Sequence, residues 1–292
     1  MDIVYTWVDA TADHIKNELI KLGKDVNTSR MKNNNELLFS LRSLEKFMPW
    51  HKGRIFIVTN DQIPTWLNVN HPRIKMIYHR DIIPKKYLPT FNSYVIEAHL
   101  FKIPTLTETF IYFNDDFLLN NFIDHDDIIN QDWEIPIYTN KNRINVKESN
   151  KIWVSGIYNT ANLLNKFNYD LYFLHHSPFI FYKSNLKYIY NVLQHEFKKS
   201  LHNKFRSKND ISICHGNYIH SLNFELGTIV DNDSSSHFFI AKDDVTENDL
   251  NKIFNLKTKY LCINDEYKKA STQKLIEKIL LRNYPKKSQF EL

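Results

Sequence analysis

Two adjacent carboxylates are the residues of this sequence best placed to bind a cation. Asp115 and Asp116 directly follow Phe110 to Asn114, an apolar run typical of a buried strand. Ligands of open α/β sheets bind outside the carboxyl ends of such strands. Because neighbouring carboxylates repel each other, Mg²⁺ or Mn²⁺ bridging a diphosphate would stabilise the pair. The alternative is an acidic turn that caps the next segment, which is the commoner setting for an isolated Asp-Asp pair.

The first apolar run ends in residues that could bind a nucleotide. Thr6, Trp7 and Asp9 place an aromatic ring and a carboxylate near one sheet edge. A base could stack on Trp7 while Asp9 accepts a hydrogen bond from ribose or base, and a core tryptophan followed by a turn aspartate is the alternative. Arg42 and Ser43 lie in the next amphipathic segment, where Arg42 is an exposed helix charge unless the fold turns it inward.

The second half of the chain offers a candidate base and a candidate phosphate ligand. His176 follows the apolar run 171–174, so its imidazole can emerge from a buried segment into a cleft. Histidine titrates near neutrality and can accept the proton of an attacking hydroxyl. Arg206 and Asp210 are four residues apart, which fits a helical ion pair. Alternatively, Arg206 clamps a phosphate and Asp210 orients it.

Composition excludes several common classes of enzyme. Five glycines in 292 residues leave neither the G-x-G-x-x-G motif nor the P-loop, and G-x-S-x-G and H-E-x-x-H are also absent. Cys214 and Cys262 form no C-x-x-C pair, so neither a zinc ribbon nor a disulfide scaffold is expected and a cytoplasmic location is the simplest. Phosphate binding in this chain must rely on a metal, Arg or Lys.

The charge balance is mildly basic. The chain has 38 basic and 33 acidic residues, a formal net charge of +5, which falls short of the clustered basic stripe of nucleic-acid-binding proteins. We expect no nucleic-acid partner. The excess suits an anionic small substrate or a membrane surface, with a solvated lysine-rich surface as the alternative. Because no apolar run approaches the ~18 residues needed to span a bilayer, we expect a soluble or peripheral protein.

The spacing of apolar residues predicts an α/β fold. Short β-prone runs alternate with helical patterns, which is typical of a mostly parallel sheet flanked by helices. The strands are predicted at residues 2–8, 54–59, 74–78 and 110–114, and the helices at 35–47, 93–103, 159–167, 185–199 and 273–282. We predict one domain, with an α/β part at 1–124 and a helical lobe at 125–292. A sheet domain with an inserted lobe is the alternative.

Several longer stretches match a known family when they are taken in chain order. The first covers Asp2 to Ala10, with Ala10 at the final glycine of the pattern D-I-V-Y-T-W-V-[DN]-G. The second covers Asn35-Glu36-Leu37, Ser40 to Ser43, Ile57 to Asn60, Pro64-x-Trp66-Leu67, His79-x-Asp81-Ile82, Leu88 to Ser93, Ile96-Glu97 and Phe110 to Asp116. The others cover Asn159 to Leu164, His176-x-Pro178, Phe205-Arg206-x-x-x-Asp210, Cys262 to Asp265 and Lys287-Ser288-x-Phe290-Glu291. Together they resemble the Stealth family of hexose-1-phosphoryltransferases, which includes bacterial capsule polymerases and the animal lysosomal-enzyme N-acetylglucosamine-1-phosphotransferase.

This resemblance implies a fold, a donor and a reaction. The fold would be related to the GT-A nucleotide-sugar glycosyltransferases, with a UDP-sugar donor and a divalent metal. The family attacks the β-phosphorus of the donor and releases UMP, so the product carries sugar-1-phosphate in a phosphodiester. The expected acceptor is a saccharide or a lipid-linked saccharide in surface polysaccharide synthesis. The expected location is the cytoplasm, with peripheral attachment to the inner face of the bacterial membrane as an option.

The resemblance also implies roles for the candidate residues. Asp115 and Asp116 would hold the metal, with Asp265 as a third acidic group. The nucleotide pocket would comprise Thr6, Trp7, Asp9, Arg42 and Ser43. His176 would take the proton of the acceptor hydroxyl, and Arg206 would stabilise the oxygens at the attacked phosphorus. The catalytic set is completed by Asp115, Asp116 and Asp210, the last of which would hold Arg206 or contribute to the metal shell.

Two other functions fit parts of this pattern. An ordinary GT-A glycosyltransferase shares the fold, the metal and the donor, and its release of UDP would distinguish it. A non-catalytic carbohydrate-binding or partner-binding module would be favoured if the acidic pair were exposed and metal-free.

Overall fold

The secondary structure alternates strands and helices throughout the chain. The computed structural model describes residues 1–26, 33–144, 151–164, 170–231 and 235–292. In chain order, the strands are β1 (Asp2–Thr6), β2 (Ile55–Thr59), β3 (Ile74–Tyr78), β4 (Thr109–Asn114), β5 (Phe117–Leu119), β6 (Ile135–Arg143), β7 (Tyr172–Leu174), β8 (Phe179–Tyr182), β9 (Gly227–Asp231), β10 (Ser236–Ala241) and β11 (Tyr260–Asp265). The α-helices are α1 (Asp13–Lys21), α2 (Glu36–Phe47), α3 (His79–Ile82), α4 (Ser93–Glu97), α5 (Ile152–Leu164), α6 (Lys183–Val192), α7 (Gln194–Ser200), α8 (Ile213–Asn223), α9 (Glu247–Phe254) and α10 (Ala270–Asn283).

A five-stranded sheet in the order β3-β2-β1-β4-β8 forms the centre of the protein. All neighbouring pairs are parallel except β4 and β8, which are antiparallel. Consecutive residues of β1, such as Ile3, Val4 and Tyr5, are fully buried. Such continuous burial is expected when both faces of a parallel sheet are covered. The predicted α/β class, with a mostly parallel sheet flanked by helices, is confirmed.

Two smaller sheets adjoin the central one. One has the strand order β10-β11-β5, and the other has the order β7-β6-β9. β5 follows β4 after only two residues, Asp115 and Asp116, and pairs antiparallel with β11. The acidic pair is therefore the turn that connects the central sheet to the sheet that contains β11.

The amphipathic patterns mostly correspond to helices. α2 begins one residue after the predicted start and buries Leu37, Leu41 and Leu44, as its spacing indicates. The predicted helix at 93–103 is shorter, since α4 ends at Glu97 and a 3-10 turn follows at Leu100–Lys102. α5 covers the start of the helix predicted at 159–167, of which residues 165–167 lie outside the described residues.

The second half combines helices with strands. It contains helices α5 to α10, and it also contains strands β6 to β11, which were not predicted. Two of those strands pair with strands of the first half, β8 with β4 and β11 with β5. The apolar core accordingly includes residues from both halves, for example Ile3, Phe113, Ile213 and Phe290. Within the described ranges, none of the helices has the length and apolar character needed to cross a bilayer.

Candidate active site

The acidic pair lies at the carboxyl end of the central sheet. Asn114, the last residue of β4, is in register with Thr6, the last residue of β1, so the two strands end at one edge. Burial raises the pKa of Asp115 well above its usual range, and the charges of Asp116 and Glu36 raise it further. Burial also raises the pKa of Asp116. These carboxylates carry their negative charges at a high free-energy cost, which a bound cation would reduce.

A buried thiol supports the second carboxylate. The pairing of β11 with β5 places Cys262 opposite Phe117. From there the Cys262 thiol donates a hydrogen bond to Asp116 Oδ2 at 3.3 Å. Burial and the neighbouring Asp116 charge raise the pKa of Cys262 well above its ordinary value, so the group remains a neutral donor.

A second pair of carboxylates is held by one amide. Asn34 Nδ2 donates to Glu36 Oε1 at 2.8 Å and to Asp265 Oδ2 at 2.7 Å. The hydroxyl of Tyr267 donates to Asn34 Oδ1 and fixes the orientation of that amide. Burial and the charge of Asp265 raise the pKa of Glu36 to about 7. Because Glu36 also raises the pKa of Asp115, the two acidic pairs interact electrostatically.

The donor chemistry suits a hard divalent cation. Mg²⁺ binds oxygen ligands, and Mn²⁺ is likewise suited by carboxylate oxygens, which Asp115, Asp116 and Asp265 all provide. Among the residues that the structure describes, no three His, Cys, Asp or Glu side chains are grouped so as to hold a metal ion. Binding of Mg²⁺ or Mn²⁺ by these three aspartates therefore stays a prediction.

Thr6, Trp7 and Asp9 lie in two different places. Thr6 is at the carboxyl edge of the sheet, and Asp9 is in the turn that follows β1. Thr6 Oγ1 lies 2.9 Å from the hydroxyl of Tyr112, which donates to Asn114 Oδ1 at 2.8 Å. Trp7 continues the β1 ladder and its side chain is partly buried against the core. Asp9 Oδ1 accepts hydrogen bonds from the backbone N and the Oγ1 of Thr11, at 2.9 and 2.6 Å. Thr6 thus lies beside the acidic pair, while the Asp9 carboxylate stabilises the turn before α1.

Arg42 and Ser43 make contacts that stabilise the fold. The Arg42 guanidinium donates to both carboxylate oxygens of Glu291, at 2.8 and 2.6 Å, and to the Tyr284 carbonyl at 3.0 Å. Ser43 Oγ donates to the Ser40 carbonyl and accepts from the backbone N of Leu119. The helix thus turns Arg42 inward, towards the C-terminal tail. Nucleotide binding by these two residues stays a prediction.

His176 lies just after β7 with its imidazole stacked on an aromatic ring. The ring centroids of His176 and Phe238 are 4.0 Å apart, with an interplanar angle of 17°. Partial burial lowers the pKa of His176 to about 4, and the positive charges of His175 and Arg206 act in the same direction, although part of the residue is exposed to solvent. At neutral pH the imidazole is therefore uncharged and able to accept a proton.

Arg206 lies on a surface loop that packs against α4. Its Nη2 donates to Ser93 Oγ at 2.9 Å, and its guanidinium lies over the ring of Tyr94, 5.1 Å from the centroid. The residue is exposed. The loop brings this cation close enough to His176 to affect its pKa, although the two residues are 30 apart in sequence.

Asp210 supports the loop that carries Arg206. Its carboxylate is fully buried and accepts four hydrogen bonds, from Asn92, from Asn203 and from the backbone and the hydroxyl of Ser207. Residues 205–211 are irregular with one turn at 208–209, and do not form the helix that a four-residue ion pair requires. Through these contacts Asp210 positions Arg206 indirectly.

A buried glutamate next to Arg206 was not among the predicted site residues. Burial raises the pKa of Glu97, while Arg206 and a hydrogen bond from Cys214 oppose that shift. The Cys214 thiol donates to Glu97 Oε2 at 3.4 Å. Burial raises the pKa of Tyr112, and the charges of Glu97 and Asp115 raise it further. Tyr112 is therefore in electrostatic contact with both Glu97 and the acidic pair.

Glu36 and Glu97 were missed for the same reason. Each lies in a helix, where a carboxylate is usually a solvated surface group. Both residues occur in stretches that resemble the Stealth family, Asn35-Glu36-Leu37 and Ile96-Glu97, and this was the available signal. Only the packing of distant segments shows that Glu97 is buried next to Arg206 and that Glu36 is half-buried near the acidic pair.

Two family descriptions match the sequence. "Stealth protein CR2, conserved region 2" matches residues 30–138, and "Stealth protein CR3, conserved region 3" matches residues 175–218. The first match contains the acidic pair and Glu97, and the second contains His176, Arg206 and Asp210.

Curated relatives carry one kind of name. The chain is 36% identical over 234 residues to "Capsular polysaccharide phosphotransferase fcs1" of Haemophilus influenzae, covering 73% of this chain and 63% of the relative. It is 31% identical over 307 residues to "Capsular polysaccharide phosphotransferase LcbA" of Aeromonas hydrophila, covering 97% and 84%. It is 47% identical over 127 residues to a "Capsular polysaccharide phosphotransferase" of Neisseria meningitidis serogroup B, but spans only 34% of that relative.

Among solved structures, the chain is similar to the galactosyltransferase LgtC in complex with donor and acceptor sugar analogs. That likeness covers 99% of this chain and 97% of LgtC, with 10% sequence identity and a TM-score of 0.46. The α/β class rests on the strand order described above.

Proposed function

The chain belongs to the Stealth family, and from this premise we propose that it transfers sugar-1-phosphate from a UDP-sugar to a hydroxyl of a saccharide acceptor in capsule synthesis. The family predicted from the sequence is thereby confirmed. Its curated relatives are named phosphotransferases, the predicted class of enzyme. The chain spans less than two thirds of some of them, 63% of the Haemophilus influenzae protein for example.

The observation that carries the proposal is the proximity of a neutral imidazole to an exposed guanidinium. Arg206 contributes to the lowered pKa of His176, so the two groups act within one electrostatic field. Phosphoryl transfer needs a group that accepts the proton of the nucleophile and cations that stabilise the equatorial oxygens. His176 and Arg206 supply one of each.

In the proposed step, the acceptor hydroxyl oxygen bonds to the β-phosphorus of the donor. The bond between that phosphorus and the oxygen that bridges the two phosphates breaks, and its electron pair leaves with UMP. The acceptor proton passes to the imidazole of His176. Arg206, held by Ser93 and Tyr94, stabilises the negative oxygens of the transferred phosphoryl group.

The residues proposed to hold Mg²⁺ or Mn²⁺ are Asp115, Asp116 and Asp265. Asp265 lies three residues after Cys262, whose thiol donates a hydrogen bond to Asp116. When bound, the ion would neutralise charge on the donor diphosphate and the departing UMP. The raised pKa values of the acidic pair support this assignment, because burial makes these negative charges costly and a bound cation would reduce that cost.

The donor nucleotide is proposed to bind at the carboxyl edge of β1 and β4. Thr6 lies at that edge beside Asn114, and Trp7 and Asp9 follow it in the chain. Ligands of open α/β sheets bind at such an edge, which supports this location for the nucleotide.

The test is to identify the nucleotide that is released. The protein would be incubated with a panel of UDP-sugars and saccharide acceptors in Mg²⁺ or Mn²⁺, and UMP and UDP would be separated by chromatography. We expect UMP, with a phosphodiester signal in the ³¹P NMR spectrum of the product.

The matched control is Asp115→Asn with Asp116→Asn, which removes the charges but retains the side-chain shape. This variant is expected to release no UMP. UDP as the released nucleotide would contradict phosphoryl transfer and favour a GT-A type glycosyltransferase. Saccharide binding without release of either nucleotide would favour a non-catalytic module.

A further inference from the structure

Three aromatic side chains form a partly exposed surface where α5 meets β7. We call Trp153, Tyr158 and Phe173 the aromatic shelf. The ring centroid of Phe173 lies 6.5 Å from that of Trp153 and 6.4 Å from that of Tyr158. Trp153 is 44% exposed, so much of its indole surface is open to solvent.

The shelf is joined to the loop of Arg206 through one tyrosine. The hydroxyl of Tyr94 donates to the Trp153 carbonyl at 2.7 Å, and the ring of Tyr94 lies beneath the Arg206 guanidinium. Gly156 permits this close approach, because a Cβ at that position would lie 2.8 Å from the Tyr94 ring. Tyr94 therefore connects Trp153 of the shelf to Arg206, the residue proposed to bind phosphate.

The other end of the shelf leads to the proposed base. Phe173 is the central residue of β7, and His176 follows three residues later. The segment between them is fixed to β6 by the hydrogen bond from the His175 backbone N to the Tyr138 carbonyl, at 2.9 Å. The shelf is therefore connected to His176 through β7 and to Arg206 through Tyr94.

We propose that the aromatic shelf binds a sugar ring of the acceptor saccharide. This inference rests on the proposed function, in which the acceptor hydroxyl must lie next to His176 and Arg206. A pyranose has a face of C–H groups that packs on an aromatic ring and hydroxyls at its rim that remain hydrogen-bonded. The exposed indole of Trp153 and the phenol of Tyr158, both in contact with Phe173, offer this combination of apolar surface and polar group.

The first experiment measures UMP release against acceptor concentration for wild type and Trp153→Ala. The acceptors are disaccharides of N-acetylhexosamine, galactose and mannose. We expect Trp153→Ala to raise the acceptor KM about tenfold, which corresponds to about 1.4 kcal/mol. The donor KM and the kcat at saturating acceptor should change less than twofold. An unchanged acceptor KM would overturn the proposal.

The matched control is Trp133→Ala. Trp133 is 79% exposed, and its carbonyl accepts from the hydroxyl of Tyr182. Tyr182 pairs with Thr109 at the start of β4, so Trp133 lies at the opposite edge of the central sheet from the acidic pair. Trp133→Ala should leave the acceptor KM unaltered. An equal rise of KM in both variants would mean that any exposed tryptophan has this effect, and would overturn the proposal.

A binding measurement separates this inference from the proposed function. Saturation-transfer NMR with the same disaccharides should show transfer from wild type that is lost in Trp153→Ala and retained in Trp133→Ala. Release of UDP in place of UMP would contradict the proposed function. The NMR result would still test whether the aromatic shelf binds a saccharide. Absence of saccharide binding to wild type would overturn the saccharide proposal.

Discussion

At the scale of single residues, the surroundings of each group decide its chemistry. His176 is neutral at physiological pH because partial burial and neighbouring positive charges disfavour its protonated form. Burial shifts the pKa of Asp115 in the opposite direction, upwards, because the charged form of a carboxylate is the deprotonated one. The sequence identified both residues, but it could not indicate these shifts, which arise from Arg206, Glu36 and other groups remote in the chain.

His176→Ala is expected to lower kcat about 10²- to 10⁴-fold at saturating donor, because no base then takes the proton of the saccharide hydroxyl. In the wild type, protonation of His176 below its lowered pKa of about 4 removes the base. The rate should therefore rise with pH through about 4 and stay level towards neutrality, which a pH profile of kcat/KM measures. Near-normal turnover of His176→Ala would show that another group is the base.

The matched variants for this prediction lie on β10. Phe238→Ala removes the stacked ring and exposes the imidazole, so the acid limb of the profile should move to higher pH, towards the ordinary histidine value. Ile240→Ala serves as the control, because Ile240 and Phe238 are both 39% exposed on the same strand. A profile that is the same for both variants would contradict a role of the stacking in setting the pKa.

At the scale of secondary-structure elements, the sequence predicted the strands and helices that are marked by a local apolar pattern. β1 to β4 and α2 were predicted almost to the residue, because long apolar runs and helical spacing mark them clearly. β5 and β7 have only three residues each and exist through pairing with distant strands, which no local pattern indicates.

The bond between Arg42 and Glu291 connects α2 to the C-terminal tail. The two residues are 249 apart in sequence, so the sequence pattern could not pair them. Arg42→Ala would leave the Glu291 carboxylate buried without its partner, which typically costs about 3–5 kcal/mol. We expect a large fall in the melting temperature, measured by circular dichroism, with an unchanged donor KM at temperatures where the variant is folded.

Glu291→Gln is the companion variant. It removes the charge from the other partner and should lower the melting temperature as well. If Arg42→Ala raised the donor KM without lowering the melting temperature, Arg42 would be a nucleotide ligand, as the sequence predicted.

At the scale of the whole molecule, the proposed active site draws on segments from nearly the entire chain. The acidic pair comes from the central sheet, Asp265 from β11, and His176 and Arg206 from the second half. The pairing of β11 with β5 brings Cys262 to Asp116, and the loop at residues 205–211 brings Arg206 close to His176. The family resemblance predicted that these residues cooperate, whereas composition and spacing alone could not.

The net charge of +5 supports peripheral attachment to the inner face of the bacterial membrane, a location that we propose for capsule synthesis. We expect the protein to sediment with vesicles that contain anionic lipids at low ionic strength and to be released at about 0.5 M salt, because screening weakens attraction to the surface. Vesicles of neutral phosphatidylcholine are the control. Failure to sediment with either kind of vesicle would contradict this location.

The turn formed by Asp115 and Asp116 restricts how the gene can vary. Two residues separate β4 from β5, and each strand is fixed in the register of a different sheet. An insertion or a deletion here would move the acidic side chains and shift one strand by a residue, which turns its side chains to the other face. Natural variants of this protein should therefore keep the length of this turn constant, and changes of chain length should accumulate elsewhere.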